Sequence, residues 1–273
     1  MEKEKPVASI IMAAGRGSRM KGYDGNKTLL PLIPERGPFD GHWPILKNIL
    51  NNLPTGPKCI IVRHKKDQVM EASKGHRISY CEQKILNGTG GALLAAKPFL
   101  NQVTCDRIII TMGDVPLVKK QTYLNLISRL EAYHMVVLGF RPDSKRQYGL
   151  LELEKDRVTR IIEWKYWKEY PKAKQSRLQI CNSGIYAARR QDLLVHLQDL
   201  ASMPHRVSKE ICGKWQTIEE FFITDLVEIL NTKGKKVGYE LVANPQEVMG
   251  VDDPPALAKA QRLFATGAFG KPN

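Results

Sequence analysis

The chain has 273 residues, 42% of them hydrophobic and 26% charged, with a formal net charge of +14. That length suits one large domain with a sizeable buried core, and no apolar run approaches the roughly 20 residues that a membrane helix needs. The charge excess favours anionic partners, but the basic residues are spread out rather than concentrated with aromatics, which predicts no specific nucleic-acid role.

Runs rich in branched residues alternate with helix-like segments. Strands are predicted at Ala8–Met12, Cys59–Arg63, Ile78–Cys81 and Arg107–Met112, with helices at Pro44–Asn52, Lys66–Ser73, Gly90–Phe99 and Lys119–Ala132 between and after them. Further strands follow at Met135–Phe140, Gly149–Glu154, Arg157–Glu163, Leu178–Ala187 and Lys236–Val242. Lys155-Asp156 separates the second and third of these and fits a hairpin turn. Helices are predicted at Arg190–Leu200 and Glu219–Asn231, and a last one runs from Asp253-Pro254 to about Phe264, Asp before Pro being a helix-start signal. The fold class is therefore α/β: a Rossmann-like, mostly parallel mixed sheet with helices on both faces and an antiparallel addition.

The whole of 1–273 reads as a single domain, with a core over about 7–243, a C-terminal helix over 252–266 and a frayed tail over 267–273. No hexapeptide repeat occurs, so no β-helix domain is expected. Cys59, Cys81, Cys105, Cys181 and Cys212 are scattered and odd in number, which predicts neither a zinc site nor a disulfide framework. The opening MEKEKPVASII is charged and leads straight into a strand, unlike a signal peptide, so a cytoplasmic location is expected.

The stretch MAAGRGSRMKG, residues 12–22, leaves the first strand and at once becomes glycine-rich and cationic. As a dinucleotide fingerprint it fails, because Met20 stands where a third glycine belongs. As a phosphate P-loop it also fails, because Asn26 rather than Gly precedes Lys27-Thr28. Backbone N–H groups at Gly15 and Gly17 nonetheless suit phosphate oxygens. Arg19 adds a planar fork and Lys27 a mobile point charge.

Ala13-Ala14-Gly15-Arg16-Gly17-Ser18-Arg19-Met20 followed by Lys27 resembles the L-A-A-G-x-G-T/S-R-M signature of the sugar-1-phosphate nucleotidylyltransferases. Later segments, in order, resemble the bacterial N-acetylglucosamine-1-phosphate uridylyltransferases. These are Glu82-Gln83, Asn87-Gly88-Thr89-Gly90, Gly113-Asp114-Val115-Pro116-Leu117, Tyr148-Gly149, Glu163-Trp164-Lys165, Asn182-Ser183-Gly184-Ile185, Phe222-Ile223-Thr224-Asp225 and Gly250-Val251-Asp252-Asp253. Three departures stand out: Asp252 replaces an Asn, Phe222 a Tyr, and the segment Gly22-Tyr23-Asp24-Gly25-Asn26 before Lys27 differs from the family loop, which carries Pro before its lysine.

The resemblance implies transfer of a nucleotidyl group from an NTP, UTP first, to a sugar-1-phosphate, N-acetylglucosamine-1-phosphate first, with pyrophosphate released. It implies catalytic roles for Arg19 and Lys27, and Mg2+ held by Asp114 and Asp252. Nucleotide contacts would come from Ala13, Ala14, Gly15, Gly17, Gln83, Gly88, Thr89 and Gly113, and sugar-phosphate contacts from Gly149, Glu163, Lys165, Asn182 and Thr224. Alternatives are the same chemistry on a different sugar or nonsugar phosphate, or a sugar-nucleotide-binding regulator without turnover. No membrane insertion is expected, a monomer is the expected state, and acetyltransferase activity is not expected.

Overall fold

In the computed structural model, which describes residues 5–75, 77–211 and 214–269, the chain elements run in this order. β1 (Ala8–Met12) is followed by a hairpin of β2 (Pro31–Gly37) and β3 (Asp40–Pro44), then α1 (Ile45–Asn52), β4 (Lys58–Val62), α2 (Lys66–Ala72) and β5 (Ile78–Glu82). Next come α3 (Gly88–Ala95), α4 (Lys97–Gln102), β6 (Arg107–Met112), α5 (Lys120–Ser128) and β7 (Met135–Phe140). A second hairpin, β8 (Leu150–Glu154) and β9 (Arg157–Ile162), leads through the short helices α6 (Trp164–Trp167) and α7 (Lys172–Arg177) to β10 (Cys181–Arg189) and α8 (Arg190–Ala201). The last elements are the hairpin β11 (His205–Ile211) and β12 (Lys214–Glu220), then α9 (Asp225–Thr232), β13 (Val237–Leu241) and α10 (Pro254–Ala265).

Among the described residues nine strands form one sheet, whose main path is β13-β7-β10-β6-β1-β4-β5, with β8 and β9 attached at β10. β1 pairs in parallel with both β4 and β6, placing Ile10 beside Cys59 and Ile110. Successive residues of a strand point to opposite faces, and a sheet covered on both faces needs apolar residues on each. Accordingly Ile11, Ile60 and Ile109 join the core on one face, with α1, α5 and α10. Ile10, Ile61 and Ile110 join the core on the other face, with α3, α4, α8 and α9. Each such fully buried isoleucine contributes about 1.5–3 kcal/mol of transfer free energy.

The expected mostly parallel mixed sheet is present, and its antiparallel content is larger than the sequence suggests. β10 runs antiparallel to both β6 and β7 in the middle of the sheet. The segment Glu219–Glu220, expected to begin a helix, instead closes β12, and the helix starts at Asp225. The acids of its first turn are Asp225 and Glu228; Glu219-Glu220 mimics that signal six residues too early. Gly90–Phe99 is two helices rather than one, breaking at Ala96. The expected tail is not frayed throughout. Phe269 is buried at 2% exposure, in the core and under the Lys119 ammonium. Residues 270–273 lie outside the described residues, as does Cys212. Among the described residues no helix is long and apolar enough to cross a membrane.

Candidate active site

In an open α/β sheet the carboxyl ends of parallel strands supply a ligand crevice, at the point where the crossovers leave in opposite directions. Here β1 is that point, between β4 and β6, and a cleft of about 560 Å³ opens above it. Three strand ends deliver the first set of expected residues. Ala13, Ala14 and Gly15 follow β1, Gln83 follows β5, and Asp114 follows β6. Gly88 and Thr89, in the first turn of α3, also line the cleft. The opposite wall is built from Gly149 before β8, Glu163 after β9, Asn182 in β10 and Thr224 before α9. Arg19, Lys27 and Asp252 also line the cleft.

At the floor the charges form one cluster. The Lys27 ammonium is paired with Asp114 and lies 3.2 Å from Asp252 Oδ1, which Arg19 Nη2 also meets at 2.8 Å. Lys27 and Asp114 are each only 15% exposed, whereas Arg19 is 68% exposed. Burial disfavours the Lys27 charge, but the Asp114 and Asp252 carboxylates outweigh it and hold the ammonium above its ordinary pKa. The two acids come from segments 138 positions apart (252 − 114), brought together as Val251 N donates to Asp114 O at 2.8 Å.

These carboxylates already hold a positive group between them. Two hard oxygen donors of this kind, completed by phosphate oxygens and waters, suit Mg2+. Among the described residues no group of three or more His, Cys, Asp or Glu could hold a metal alone.

On the far wall, Thr224 Oγ1 donates to Glu163 Oε1 at 3.0 Å, and burial pushes the Glu163 carboxyl above its ordinary range. Asn182 is oriented internally: its Nδ2 donates to the Tyr186 hydroxyl and its Oδ1 accepts from Gly184 N. Gln83 is 5% exposed, and its amide nitrogen donates to Asn87 Oδ1 and Gly88 O.

Three expected residues sit elsewhere. Gly113 does not line the cleft; a Cβ there would lie 2.8 Å from Met12 O and 3.3 Å from Ala13 Cα, so glycine lets the ends of β6 and β1 meet. Gly17 packs on the Lys27 stem. Lys165 stands over the Tyr166 and Phe222 rings, 4.7 and 5.1 Å from their centroids, outside the lining.

Gly88, at φ +90°, could carry no ordinary side chain without strain, and its backbone lies against that of Phe221. Thr89 sits in the first turn of α3, and its hydroxyl accepts from Ile223 N, which ties the two walls together. Asp253 does cap α10, accepting from Ala256 N at 2.8 Å.

Sequence reasoning missed Gln147, Tyr148, Ser183 and Glu220 as lining residues, and Asn26 as a structural centre of the site. The Asn-x-Thr spacing at 26–28 is a capping signal that could have pointed to Asn26.

Comparison with known proteins agrees with this geometry. The chain is 31% identical over 262 residues to the bifunctional protein GlmU of Sphingopyxis alaskensis, covering 94% of this chain and 52% of that one. It is likewise 31% identical to the bifunctional protein GlmU of Geobacter metallireducens, covering 94% and 50%. The chain thus spans about half the length of the curated relatives it matches. Its fold matches that of the uridine diphosphate N-acetylglucosamine pyrophosphorylase of Trypanosoma brucei, with a TM-score of 0.71 at 12% identity, over 94% of this chain and 65% of that one. The family model of the MobA-like NTP transferase domain matches residues 9–216. With its glycine-rich loop, strand-end acids and two-walled cleft accounted for, the chain belongs to the family of MobA-like NTP transferase domains.

Proposed function

We propose that this domain transfers a nucleotidyl group from UTP to N-acetylglucosamine-1-phosphate. The observation that carries the reading is the cluster of Lys27, Arg19, Asp114 and Asp252 between the glycine-rich wall and the polar wall of one cleft. An oxygen of the sugar phosphate forms the new bond at the α-phosphorus. The bond from that phosphorus to the oxygen bridging to the β-phosphate breaks, and pyrophosphate leaves with the electron pair. The attacking group is already an anion, so the reaction needs no general base, and catalysis rests on position and charge.

The backbone of Ala13, Ala14 and Gly15 approaches the phosphates, and Gln83, Gly88 and Thr89 face the base. The nitrogen of the Gln83 amide is engaged by Asn87 and Gly88, which leaves its oxygen as the acceptor for a uracil imide N–H. Gly149, Glu163, Asn182 and Thr224 take the sugar side. Asp114 and Asp252 would hold Mg2+, which when bound neutralises phosphate charge. Lys27 and Arg19, which pair with these carboxylates, would turn to the phosphates of a bound triphosphate and leave Asp114 and Asp252 free to hold the ion. The motif resemblance to the bacterial N-acetylglucosamine-1-phosphate uridylyltransferases, from Glu82-Gln83 to Gly250-Val251-Asp252-Asp253, supports the choice of uridine and amino sugar. The test is a panel of NTPs against sugar-1-phosphates, scored by pyrophosphate release. UTP with N-acetylglucosamine-1-phosphate should be the best pair; a clear preference for another pair overturns the substrate assignment.

A further inference from the structure

Asn26 is a polar residue only 1% exposed, immediately before the lysine at the centre of the charge cluster. Its side chain makes four hydrogen bonds. Nδ2 donates to Ala13 O at 3.2 Å and to His64 O at 2.8 Å. Oδ1 accepts from Thr28 N at 3.0 Å and from Thr28 Oγ1 at 2.9 Å. The partners fix the orientation of the amide: two carbonyls can only accept, and a backbone N–H can only donate.

These bonds do two linked things. The pair at Oδ1 caps the single turn Lys27–Leu29 and so fixes the backbone from which the Lys27 side chain reaches Asp114 and Asp252. The pair at Nδ2 joins that turn to the chain just past β1 and just past β4. Residues 14–25 become a loop whose two ends are held together at the neck, as in a compact Ω-loop. The loop in turn rests on the lysine, since a Cβ on Gly17 would lie 3.4 Å from Lys27 Cδ.

We propose that Asn26 is the positioning residue of this site, setting the Lys27 ammonium and closing the neck of the glycine-rich loop in one side chain. The inference rests on the nucleotidyl-transfer reading only for its kinetic consequence. Asn26→Asp cuts the turn that carries Lys27 loose from the strand ends. The carboxylate keeps an acceptor for Thr28 but offers no donor to Ala13 O and His64 O and sets its charge against them, so the turn and the lysine on it lose their anchor.

The experiment is a double-mutant cycle with Asn26→Asp and Lys27→Ala, paired with acylation of lysines by an amine-reactive acetyl ester read by peptide mass. In the Lys27 background Asn26→Asp should lower kcat about 10²-fold, the scale of an ångström of misplacement, with the KM for sugar phosphate unchanged. In the Lys27→Ala background the same change should cost no more than about twofold, the limit of additivity for uncoupled sites. Acylation of Lys27 should rise several-fold relative to Lys58, whose ammonium is held by Pro54 O and Gly56 O. If Asn26→Asp does not fold, Asn26→Ser carries the same two readouts. Equal kcat losses in both backgrounds, or an unchanged Lys27 acylation rate, overturn the proposal. The labelling arm needs no turnover, so a wild-type protein inactive on every substrate pair would refute the proposed function and leave this inference to be decided by labelling.

Discussion

Replacing Lys27 with Met removes the positive charge from between Asp114 and Asp252 while keeping much of the stem that packs beneath Gly17. At the 3.2 Å separation from Asp252 Oδ1 and an effective dielectric of about 20, the gross attraction is roughly 5 kcal/mol. Desolvation of a mostly buried pair returns the larger part of that. A net remainder of about 1.4 kcal/mol is a factor of ten in an equilibrium constant. A divalent cation added without nucleotide competes with the ammonium for the same two carboxylates. Lys27→Met should therefore bind Mg2+ or Mn2+ about tenfold more tightly than the wild type in a calorimetric titration. Asp114→Asn placed on top should abolish the gain. In turnover the same Lys27→Met change should lower kcat by roughly 10²–10³-fold, as removal of a positioned charge donor does. Metal affinity unchanged in Lys27→Met would refute the view that lysine and metal share these acids.

Two glycines of the motifs should behave oppositely. Gly113→Ala puts a Cβ 2.8 Å from Met12 O and should destabilise the fold by about 1–3 kcal/mol in urea unfolding. Gly15→Ala meets open space, so it should change stability by no more than about 0.5 kcal/mol while raising the KM for NTP. A Glu163→Gln protein tests the buried carboxyl. With a folded pKa raised by burial above the ordinary 4.5, the unfolded chain releases the proton first as pH rises, and wild-type stability falls between 4.5 and the raised value. Glu163→Gln should show a higher Tm than wild type at neutral pH and weaker sugar-phosphate binding, its Tm advantage shrinking as pH falls toward 4.5. A Tm difference independent of pH would contradict the assignment.

The parallel core was legible because its physics is local. Ala8–Met12, Arg107–Met112 and Met135–Phe140 are continuous apolar runs, as strands buried on both faces must be, and their bounds match the structure. The residues after Met12 and Met112 were legible as site residues because strand ends in such a sheet point at the crevice. The hairpin of β2 and β3 was not legible: Pro31, Pro34, Gly37 and Gly41 interrupt it, and much of it faces solvent. The antiparallel course of β10 leaves no mark on its own sequence, since strand direction depends on distant partners. The role of Asn26 was hidden for the same reason. Its bonds to Ala13 and His64 bridge 13 and 38 positions. Lys165 shows the limit of motif transfer, because its place follows from the packing of Phe222 and Tyr166 rather than from its spacing after Glu163.

Nucleotidyl transfer at the Lys27–Asp114–Asp252 cluster is tested most directly by pyrophosphate release from UTP with Mg2+, with and without N-acetylglucosamine-1-phosphate. Release should require both the metal and the sugar phosphate and should be lost in Asp114→Ala. Absence of turnover with every NTP and sugar-1-phosphate in a broad panel, or full activity in Asp114→Ala, would contradict it.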